Sequence, residues 1–324
     1  MSHVLICGGA GYVGAHAAKC LAERGHQVSV FDNLSTGHRA AVAWGEFLEG
    51  DLLDPASLQR AFSTNRIDAV MHFAALSVVG ESVRNPYAYY LNNVVGTINL
   101  LQAMRVAEVR QIVFSSTAAV YGLPQQSPIE EWQASAPINP YGASKAMVER
   151  ILADAASAYG LRSVALRYFN AAGADPAAQI GESHTPETHL IPNVLGAAMS
   201  GSSVNIFGDD YATPDGTCIR DYVHVNDLAQ AHVLALDHLP VHAGAHAFNL
   251  GNGNGFSVLQ VVDAARRVTG RNIPITRAPR RTGDPRTLVA SSDKARDVLG
   301  WQPTFIELDS IVETAWRWHR SARY

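Results

Sequence analysis

A short apolar strand that runs directly into a glycine-rich turn is the feature that most constrains how this chain folds. The residues VLIC, Val4 to Cys7, precede the segment GGAGYVG, and a helical pattern follows. Glycines in such a turn permit close approach of the backbone to a pyrophosphate, while the helix amino terminus offers free N–H groups. The segment predicts a dinucleotide-binding turn, in which the expected cofactor contacts are Gly8, Gly11, Tyr12, Val13 and Gly14.

The alternation of strand and helix continues through the first half of the chain. Short β-branched apolar runs predict strands, and the amphipathic stretches between them predict helices. The predicted strands are 4–7, 28–31, 47–49, 69–73, 112–115 and 164–168, and the predicted helices include 13–24, 57–63, 96–106 and 141–159. This order predicts an α/β fold, a doubly wound parallel sheet of the Rossmann type.

The pattern changes after Asn170, where the segment AAGADPAAQIGESHTPETHL is rich in Gly, Pro and small polar residues. Such a composition predicts a long functional loop. A helical pattern at 226–238 and a strand pattern at 247–250 predict that the chain then returns to the sheet. We therefore expect a cofactor-binding domain at 1–172, revisited by about 223–250, and a smaller α+β substrate lobe at 173–222 and 251–324.

The second predicted strand ends in Asp32, about 20 residues beyond the glycines, within VSVFDN. A carboxylate at this point accepts hydrogen bonds from both ribose hydroxyls and repels a 2′-phosphate, which favours NAD over NADP. Residues that follow the second, third and fourth strands lie where doubly wound sheets bind the adenosine half of the cofactor. These predicted contacts are Asn33, Asp51, Leu52, Phe73, Ala74 and Ala75.

Tyr141 and Lys145 stand four residues apart on one predicted helical face. Tyrosine has a pKa near 10, so a base that acts near pH 7 needs that pKa lowered by about 3, or about 4 kcal/mol. A lysine ammonium one turn away and a positive nicotinamide ring both favour the phenolate. The fifth predicted strand ends in SSTAAVYG, so Ser115 and the hydroxyl of Thr117 are expected at the same sheet edge. The Thr117 hydroxyl, the Tyr141 phenol and the Lys145 ammonium together predict a hydride-transfer site.

Several longer segments carry a resemblance to a known family. HFAALSVVGESV, YYLNNVVGT, YGASKAMVE, LRYFN, GDDYATPDGTCIRDYVHVNDLA and APRRTGDP resemble extended short-chain dehydrogenases, and among them the UDP-galactose 4-epimerases. The resemblance covers nearly the whole chain. It implies that Tyr141 takes the proton of the sugar 4-hydroxyl while carbon 4 gives hydride to bound NAD, that Thr117 stands where the family usually has Ser, and that Asn92 and Tyr168 line the cofactor site.

The same resemblance implies an anchor for a UDP-sugar. Its expected members are Asn170, Leu190, Phe207, Arg220, Arg281 and Asp284. Guanidinium groups suit a diphosphate, although an ion pair of Arg220 with the neighbouring Asp221 is the competing interpretation. Three substrate positions depart from the family pattern: Ser77 replaces a lysine, His189 replaces an asparagine, and Leu288 stands where side-chain bulk is associated with refusing or accepting an N-acetyl group. The sugar preference therefore stays open.

Three other functions are alternatives to a UDP-galactose 4-epimerase. A nucleotide-sugar 4,6-dehydratase needs an acidic pair after the threonine, and this chain has Ala118 and Ala119 there. A 4-epimerase of UDP-N-acetylglucosamine or a UDP-pentose is a closer alternative, which the pocket near Leu288 decides. A non-catalytic NAD-sensing protein is the alternative from another class, and it can dispense with the tyrosine and lysine.

Composition bounds the partners and the compartment. The net charge of −4 lacks the basic excess that nucleic-acid binding requires, and no apolar run reaches the length of a membrane span. Three cysteines without Cys-x-x-Cys spacing and an amino terminus without a secretory pattern predict a soluble protein of the reducing cytoplasm.

The family resemblance implies a homodimer. The histidines, including His72 and His224, show no ligand spacing with acidic residues, so we expect no metal.

Overall fold

The computed structural model describes residues 1–281 and 284–324. Its strands are β1 His3–Cys7, β2 Gln27–Asp32, β3 Glu46–Glu49, β4 Ala69–His72, β5 Gln111–Thr117, β6 Arg162–Tyr168, β7 Asn170–Ala172, β8 Val204–Phe207, β9 Ile219–Arg220, β10 Tyr222–His224, β11 Ala245–Leu250, β12 Phe256–Ser257, β13 Ile275–Ala278 and β14 Thr287–Leu288.

The α-helices are α1 Tyr12–Glu23, α2 Pro55–Thr64, α3 Val79–Arg84, α4 Pro86–Tyr89, α5 Gly96–Val106, α6 Pro140–Tyr159, α7 Leu190–Ser200, α8 Val225–His238, α9 Val258–Thr269, α10 Asp293–Leu299 and α11 Leu308–Arg320. A π-helix at Tyr90–Val95 joins α4 to α5, and 3₁₀ turns cover Arg39–Ala41 and Ala118–Tyr121. Among the described residues, the helices include none with the length and apolar character that crossing a membrane demands.

Seven strands form one parallel sheet in the order β11-β6-β5-β4-β1-β2-β3. The order turns around between β1 and β4, and this reversal defines the point where doubly wound sheets open a crevice at the carboxyl ends of their strands. The predicted Rossmann-type α/β fold is confirmed. The return of the chain to the sheet is seen directly, because β11 pairs with β6 from Ala245 with Ser163 to Leu250 with Tyr168.

Helices cover both faces of the sheet because its strands are apolar on both sides. One core packs α1 and α8 against the sheet around Val30, Leu228 and Trp301. The core on the opposite face includes Leu58, Leu100 and Val148, from α2, α5 and α6.

A separate core belongs to the carboxyl-terminal half and packs α7, α9 and α11 together around Leu195, Val262 and Trp316. The small sheets β8-β13 and β12-β9-β14 accompany it. The predicted long loop contains the short strand β7, and residues 173–189 then connect β7 to α7 without helix or strand. This connection and the carboxyl ends of the large sheet face the same cleft.

Candidate active site

A single cleft of about 1660 Å³ lies across the carboxyl ends of the parallel strands. It exceeds the roughly 300–1,000 Å³ of a pocket for one small ligand, so it has room for two. Every site residue expected from the sequence lines it. The lining includes Gly8, Gly11, Tyr12, Val13, Gly14, Asp32, Asn33, Asp51, Leu52, Phe73, Ala74, Ala75, Ser77, Asn92, Ser115, Thr117, Tyr141, Lys145, Tyr168, Asn170, His189, Leu190, Phe207, Arg220, Arg281, Asp284 and Leu288.

The glycine-rich turn between β1 and α1 forms one wall of the cleft. Gly8 has a φ of +82°, and a Cβ there would lie 2.5 Å from the Ala74 nitrogen, so the segment that follows β4 passes too close for a side chain. A Cβ at Gly14 would collide with the Gly8 carbonyl oxygen. Gly11 is the N-cap of α1 and has no side chain to bond the N–H groups of the first turn. The exposed N–H groups and the positive end of the helix suit a pyrophosphate.

Asp32 ends β2 and is only 8% exposed. Its Oδ2 accepts the Ala10 N–H at 2.9 Å and its Oδ1 accepts the Leu34 N–H at 2.8 Å. A carboxylate has about four acceptor positions, so both oxygens can still accept ribose hydroxyls. Beside it, Asn33 Nδ2 donates to Asp51 Oδ2 at 2.9 Å, which joins the ends of β2 and β3. The wall from Gly8 to Asp51 therefore fits a dinucleotide.

The start of α6 holds Tyr141 beside the end of β5. Asn139 caps the helix by accepting the Gly142 N–H at 2.8 Å, and Pro140 occupies the first turn. A Cβ on Gly142 would lie 2.5 Å from the Ala119 carbonyl oxygen, so the helix start lies directly against the turn that follows Thr117. Burial raises the pKa of the Tyr141 phenol, while the Thr117 hydroxyl acts in the opposite direction.

Lys145 lies one turn along α6 and is 3% exposed. Its ammonium donates to the Ser115 carbonyl oxygen at 2.8 Å and lies 6.0 Å from the centre of the Tyr141 ring. Burial lowers the pKa of Lys145 to about 7, and the carboxylate of Glu149 acts against this shift. The Ser115 hydroxyl bonds the Tyr168 hydroxyl, which fixes both side chains at the sheet edge.

Asn93 is a positioning residue that the sequence analysis missed. It is buried in the π-helix, where its side chain accepts the Leu76 N–H at 2.8 Å and donates to the Leu76 carbonyl and to Ser144 Oγ, both at 3.0 Å. Asn92 Nδ2 donates to the same Asn93 oxygen at 2.9 Å. One side chain thereby ties the loop after β4 to the residue before Lys145. The doubled asparagine in YYLNNVVGT was the available signal, and π-helical turns are frequent at functional sites.

The opposite wall carries the two arginines. Arg220 pairs with Asp284 and donates to the Ile219 carbonyl oxygen at 2.6 Å, and the Arg281 guanidinium lies 4.1 Å from the centre of the Phe207 ring. The competing interpretation of an Arg220–Asp221 pair is wrong, because Asp221 points instead to backbone. Its carboxylate accepts the N–H groups of Asn252, Gly253 and Ala290.

Two further members of this wall come from β7 and β14. Asn170 Nδ2 donates to the Asp221 carbonyl oxygen at 2.9 Å, and Leu288 lies in β14, which pairs with β9. Thr282 and Gly283 of the segment APRRTGDP lie outside the described residues. Two guanidinium groups on this wall suit a diphosphate.

His189 belongs to a cluster that the sequence analysis did not anticipate. Glu182, His184, Glu187 and His189 bring one ligand atom each within 4.8 Å of the others. The expectation that no histidine has ligand spacing with acidic residues is therefore wrong, and the missed signal was Glu-x-His-x-x-Glu-x-His in the predicted loop. His72 and His224 are buried as expected, with Nε2 at 2.9 Å from Thr97 Oγ1 and from Thr314 Oγ1 respectively.

Comparison with known proteins gives a consistent result. Residues 4–251 match the NAD dependent epimerase/dehydratase family. A UDP-glucose 4-epimerase of Halalkalibacterium halodurans is 54% identical over 98% of this chain and 95% of the relative. The crystal structure of UDP-glucose 4-epimerase from Brucella ovis in complex with NAD is 51% identical, with a TM-score of 0.95 over 98% of both chains.

A second solved structure holds a nucleotide beside the cofactor. UDP-glucose 4-epimerase from Bifidobacterium longum, in complex with NAD⁺ and UDP, is 38% identical to this chain. Its TM-score is 0.94 over 99% of both chains.

Proposed function

The chain belongs to the NAD dependent epimerase/dehydratase family, and we propose that it is an isomerase that inverts carbon 4 of a UDP-hexose, interconverting UDP-galactose and UDP-glucose. The observation that carries this proposal is one cleft with a dinucleotide wall, an arginine wall, and Tyr141, Lys145 and Thr117 between them. This arrangement suits a UDP-sugar whose 4-hydroxyl meets a base and whose carbon 4 meets a hydride acceptor. The long match to UDP-glucose 4-epimerases supports it.

NAD, when bound, would supply a reversible hydride acceptor for carbon 4 of the sugar, so the overall reaction involves no net oxidation. We assign the cofactor wall to Gly8–Gly14, Asp32, the loops after β3 and β4, Asn92 and Tyr168. Asp32 holds the ribose hydroxyls, and the amino terminus of α1 holds the pyrophosphate.

Tyr141 acts as the base that removes and returns the proton of the sugar 4-hydroxyl. Its burial raises the phenol pKa, so a nearby positive charge is needed to favour phenolate near neutral pH. Lys145 supplies this charge, because its ammonium lies 6.0 Å from the centre of the Tyr141 ring and donates to the Ser115 carbonyl oxygen. Thr117 orients the sugar hydroxyl toward Tyr141.

The arginine wall anchors UDP and so fixes which sugar atom reaches Tyr141. Arg220 forms an ion pair with Asp284. Arg281 lies over the ring of Phe207 and, among the described residues, has no carboxylate within 4.0 Å. We assign Phe207 and Asp284 to the uridine end, and Asn170, Arg220 and Arg281 to the diphosphate. Ser77, His189, Leu190 and Leu288 then surround the sugar.

Elimination chemistry is disfavoured at this site. Ala118 and Ala119 follow Thr117 in the 3₁₀ turn, where a dehydratase needs acidic groups to move protons at carbons 5 and 6. Leu288 lines the cleft, and with our assignment of it to the sugar its bulk decides the remaining alternative, a 4-epimerase of N-acetylated or pentose UDP-sugars.

We also propose a homodimer formed through α6 and the neighbouring helices. Val83 and Tyr87 of α3 and α4 are 63% and 83% exposed, and Met147 of α6 is 46% exposed. These helices pack together, so their apolar side chains form one outer face. Sedimentation of the double variant Val83→Glu, Tyr87→Glu should show monomers, whereas Val106→Glu, 81% exposed at the end of α5, should stay dimeric. A monomeric parent protein would refute the dimer.

The proposed domains are the cofactor domain 1–172 with 223–250, and the UDP-sugar lobe 173–222 with 251–324. The separate core around Leu195 supports this division, because nearly all its residues come from the second part, whereas Trp301 and α10 of that part pack into the core around Val30. The described residues include all three cysteines, each a free thiol, which supports the cytoplasm as the compartment.

The activity is tested with purified protein and no added cofactor. Conversion of UDP-galactose to UDP-glucose is expected, and Tyr141→Phe should lower kcat by about 10²–10⁴-fold because the proton acceptor is removed. Tyr159→Phe, at the other end of α6 and exposed, is the matched control and should keep full activity. Absence of conversion even with NAD supplied would refute the proposed function.

A further inference from the structure

The cluster Glu182, His184, Glu187 and His189 brings together two imidazoles and two carboxylates, of which His189 alone is assigned above, to the surroundings of the sugar. It lies on the 173–189 connection, where it lines the cleft beside the glycine-rich turn. Three hydrogen bonds fix this connection. The Tyr12 hydroxyl donates to the Gly173 carbonyl at 2.6 Å, the Trp318 indole donates to the Glu182 carbonyl at 2.8 Å, and His38 Nε2 lies 3.3 Å from the Ser183 carbonyl.

The four side chains alternate as histidine and carboxylate around a small centre. His184 Nδ1 lies 3.4 Å from Glu182 Oε1 and 3.5 Å from Glu187 Oε2. His189 Nδ1 lies 2.8 Å from Glu182 Oε1 and 3.1 Å from Glu187 Oε1. Zn²⁺ bonds nitrogen and oxygen at about 2.0–2.2 Å, so adjacent ligands of a tetrahedral site are separated by about 3.3 Å. The four observed nitrogen–oxygen distances, from 2.8 to 3.5 Å, lie on both sides of this expected ligand–ligand distance.

Hydrogen bonding alone does not account for the arrangement. Among these four contacts, the one that has hydrogen-bond geometry joins His189 Nδ1 to Glu187 Oε1. His184 Nδ1 is shielded from solvent and lacks a hydrogen-bond partner in the described chain, although two carboxylate oxygens lie nearby. An imidazole nitrogen that faces two carboxylates without bonding either is placed as a metal ligand would be.

The charge of the cluster also suits a dication. Glu182 is 7% exposed, and within the described chain no lysine or arginine lies within 4.0 Å of the Glu182 or Glu187 carboxylate. Two buried or half-buried carboxylates therefore need two positive charges, which either two imidazolium protons or one divalent ion supplies. An ion that displaces those two protons leaves the total charge of the cluster at zero.

We propose that Glu182, His184, Glu187 and His189 form a binding site for a divalent transition-metal ion, Zn²⁺ in the first instance. The ligand atoms are Nδ1 of both histidines, Oε1 of Glu182 and the carboxylate of Glu187, whose Oε2 faces His184 and whose Oε1 faces His189. Two imidazoles and two carboxylates are a donor set that zinc accepts in four-coordinate sites. The ion cross-links the two ends of the 182–189 segment and so holds it over the glycine-rich turn. Its role is structural and separate from the proton transfer at Tyr141.

The full-length protein, stripped with a chelator and dialysed, is titrated with Zn²⁺ by calorimetry, and bound metal is counted by elemental analysis. The expected result is one Zn²⁺ per chain. His184→Gln or Glu187→Gln should weaken binding by about 100-fold or more, because a direct ligand is lost. His242→Gln removes an exposed histidine that stacks on His238 at the end of α8, and it should leave the site intact.

Co²⁺ provides a second readout, because a tetrahedral site gives a visible absorption that an exposed surface site does not. Loss of that absorption in both ligand variants, with unchanged circular dichroism, would support the site. Wild-type protein without stoichiometric Zn²⁺, or ligand variants that bind as the wild type does, would overturn it. These binding measurements need no turnover, so their failure and a failure of the proposed epimerase activity are separate results.

Discussion

Substitution of Gly142 by alanine tests whether contact between α6 and the turn after Thr117 sets the catalytic geometry. A Cβ at this position would lie 2.5 Å from the Ala119 carbonyl oxygen, and opening that contact to 3.4 Å needs a shift of about 0.9 Å. The neighbours are backbone atoms of Ala119 and the ring of Pro137, which have little freedom to move. Either the start of α6, which carries Tyr141, or the 3₁₀ turn, which Thr117 caps, must therefore move.

A displacement near 1 Å between reacting groups costs about 10²-fold in rate, so Gly142→Ala should lower kcat by about that factor. The assay is conversion of UDP-galactose to UDP-glucose without added cofactor, together with the thermal midpoint and the bound NAD of each variant. Gly196→Ala is the matched control, because Gly196 lies within α7 and its Cβ would meet none of the described atoms within 4 Å. A Gly142→Ala protein that is folded, retains NAD and has wild-type kcat would refute the reasoning.

Three further variants test the two walls of the cleft. Asp32→Asn should lower NAD retention on gel filtration by roughly 10–100-fold, because a charged acceptor of ribose hydroxyls is lost; full retention would contradict the assignment. Arg220→Lys should raise KM for UDP-galactose by roughly tenfold at little cost in kcat, since lysine cannot serve Asp284 and a diphosphate in the fork geometry of arginine. Leu288→Ala should raise kcat/KM for UDP-N-acetylgalactosamine relative to UDP-galactose by roughly tenfold, and an unchanged ratio would remove Leu288 from the sugar pocket.

The elements of the cofactor wall follow from patterns that are local in the sequence. β-Branched runs predicted the first six strands of the large sheet, and no end of an observed strand differs from the predicted end by more than two residues. The glycine-rich turn, Asp32 at the end of β2, and the spacing of Tyr141 and Lys145 depend on residues close together in the chain. A helix of 3.6 residues per turn places such a pair on one face wherever the helix lies. Their position at one sheet edge follows from parallel topology.

Only the tertiary structure determined the ion pairs, hydrogen bonds and clusters that join residues far apart in the chain. Arg220 pairs with a carboxylate 64 residues away and not with its neighbour Asp221, because Asp221 is turned toward three backbone N–H groups from other segments. Asn93 acquires its role by reaching Ser144, 51 residues away. Sequence predicted 171–190 as a loop, but composition carries no information on which loop side chains converge. The histidine and glutamate cluster exists because bonds from Tyr12, His38 and Trp318 fix that loop against the cofactor wall.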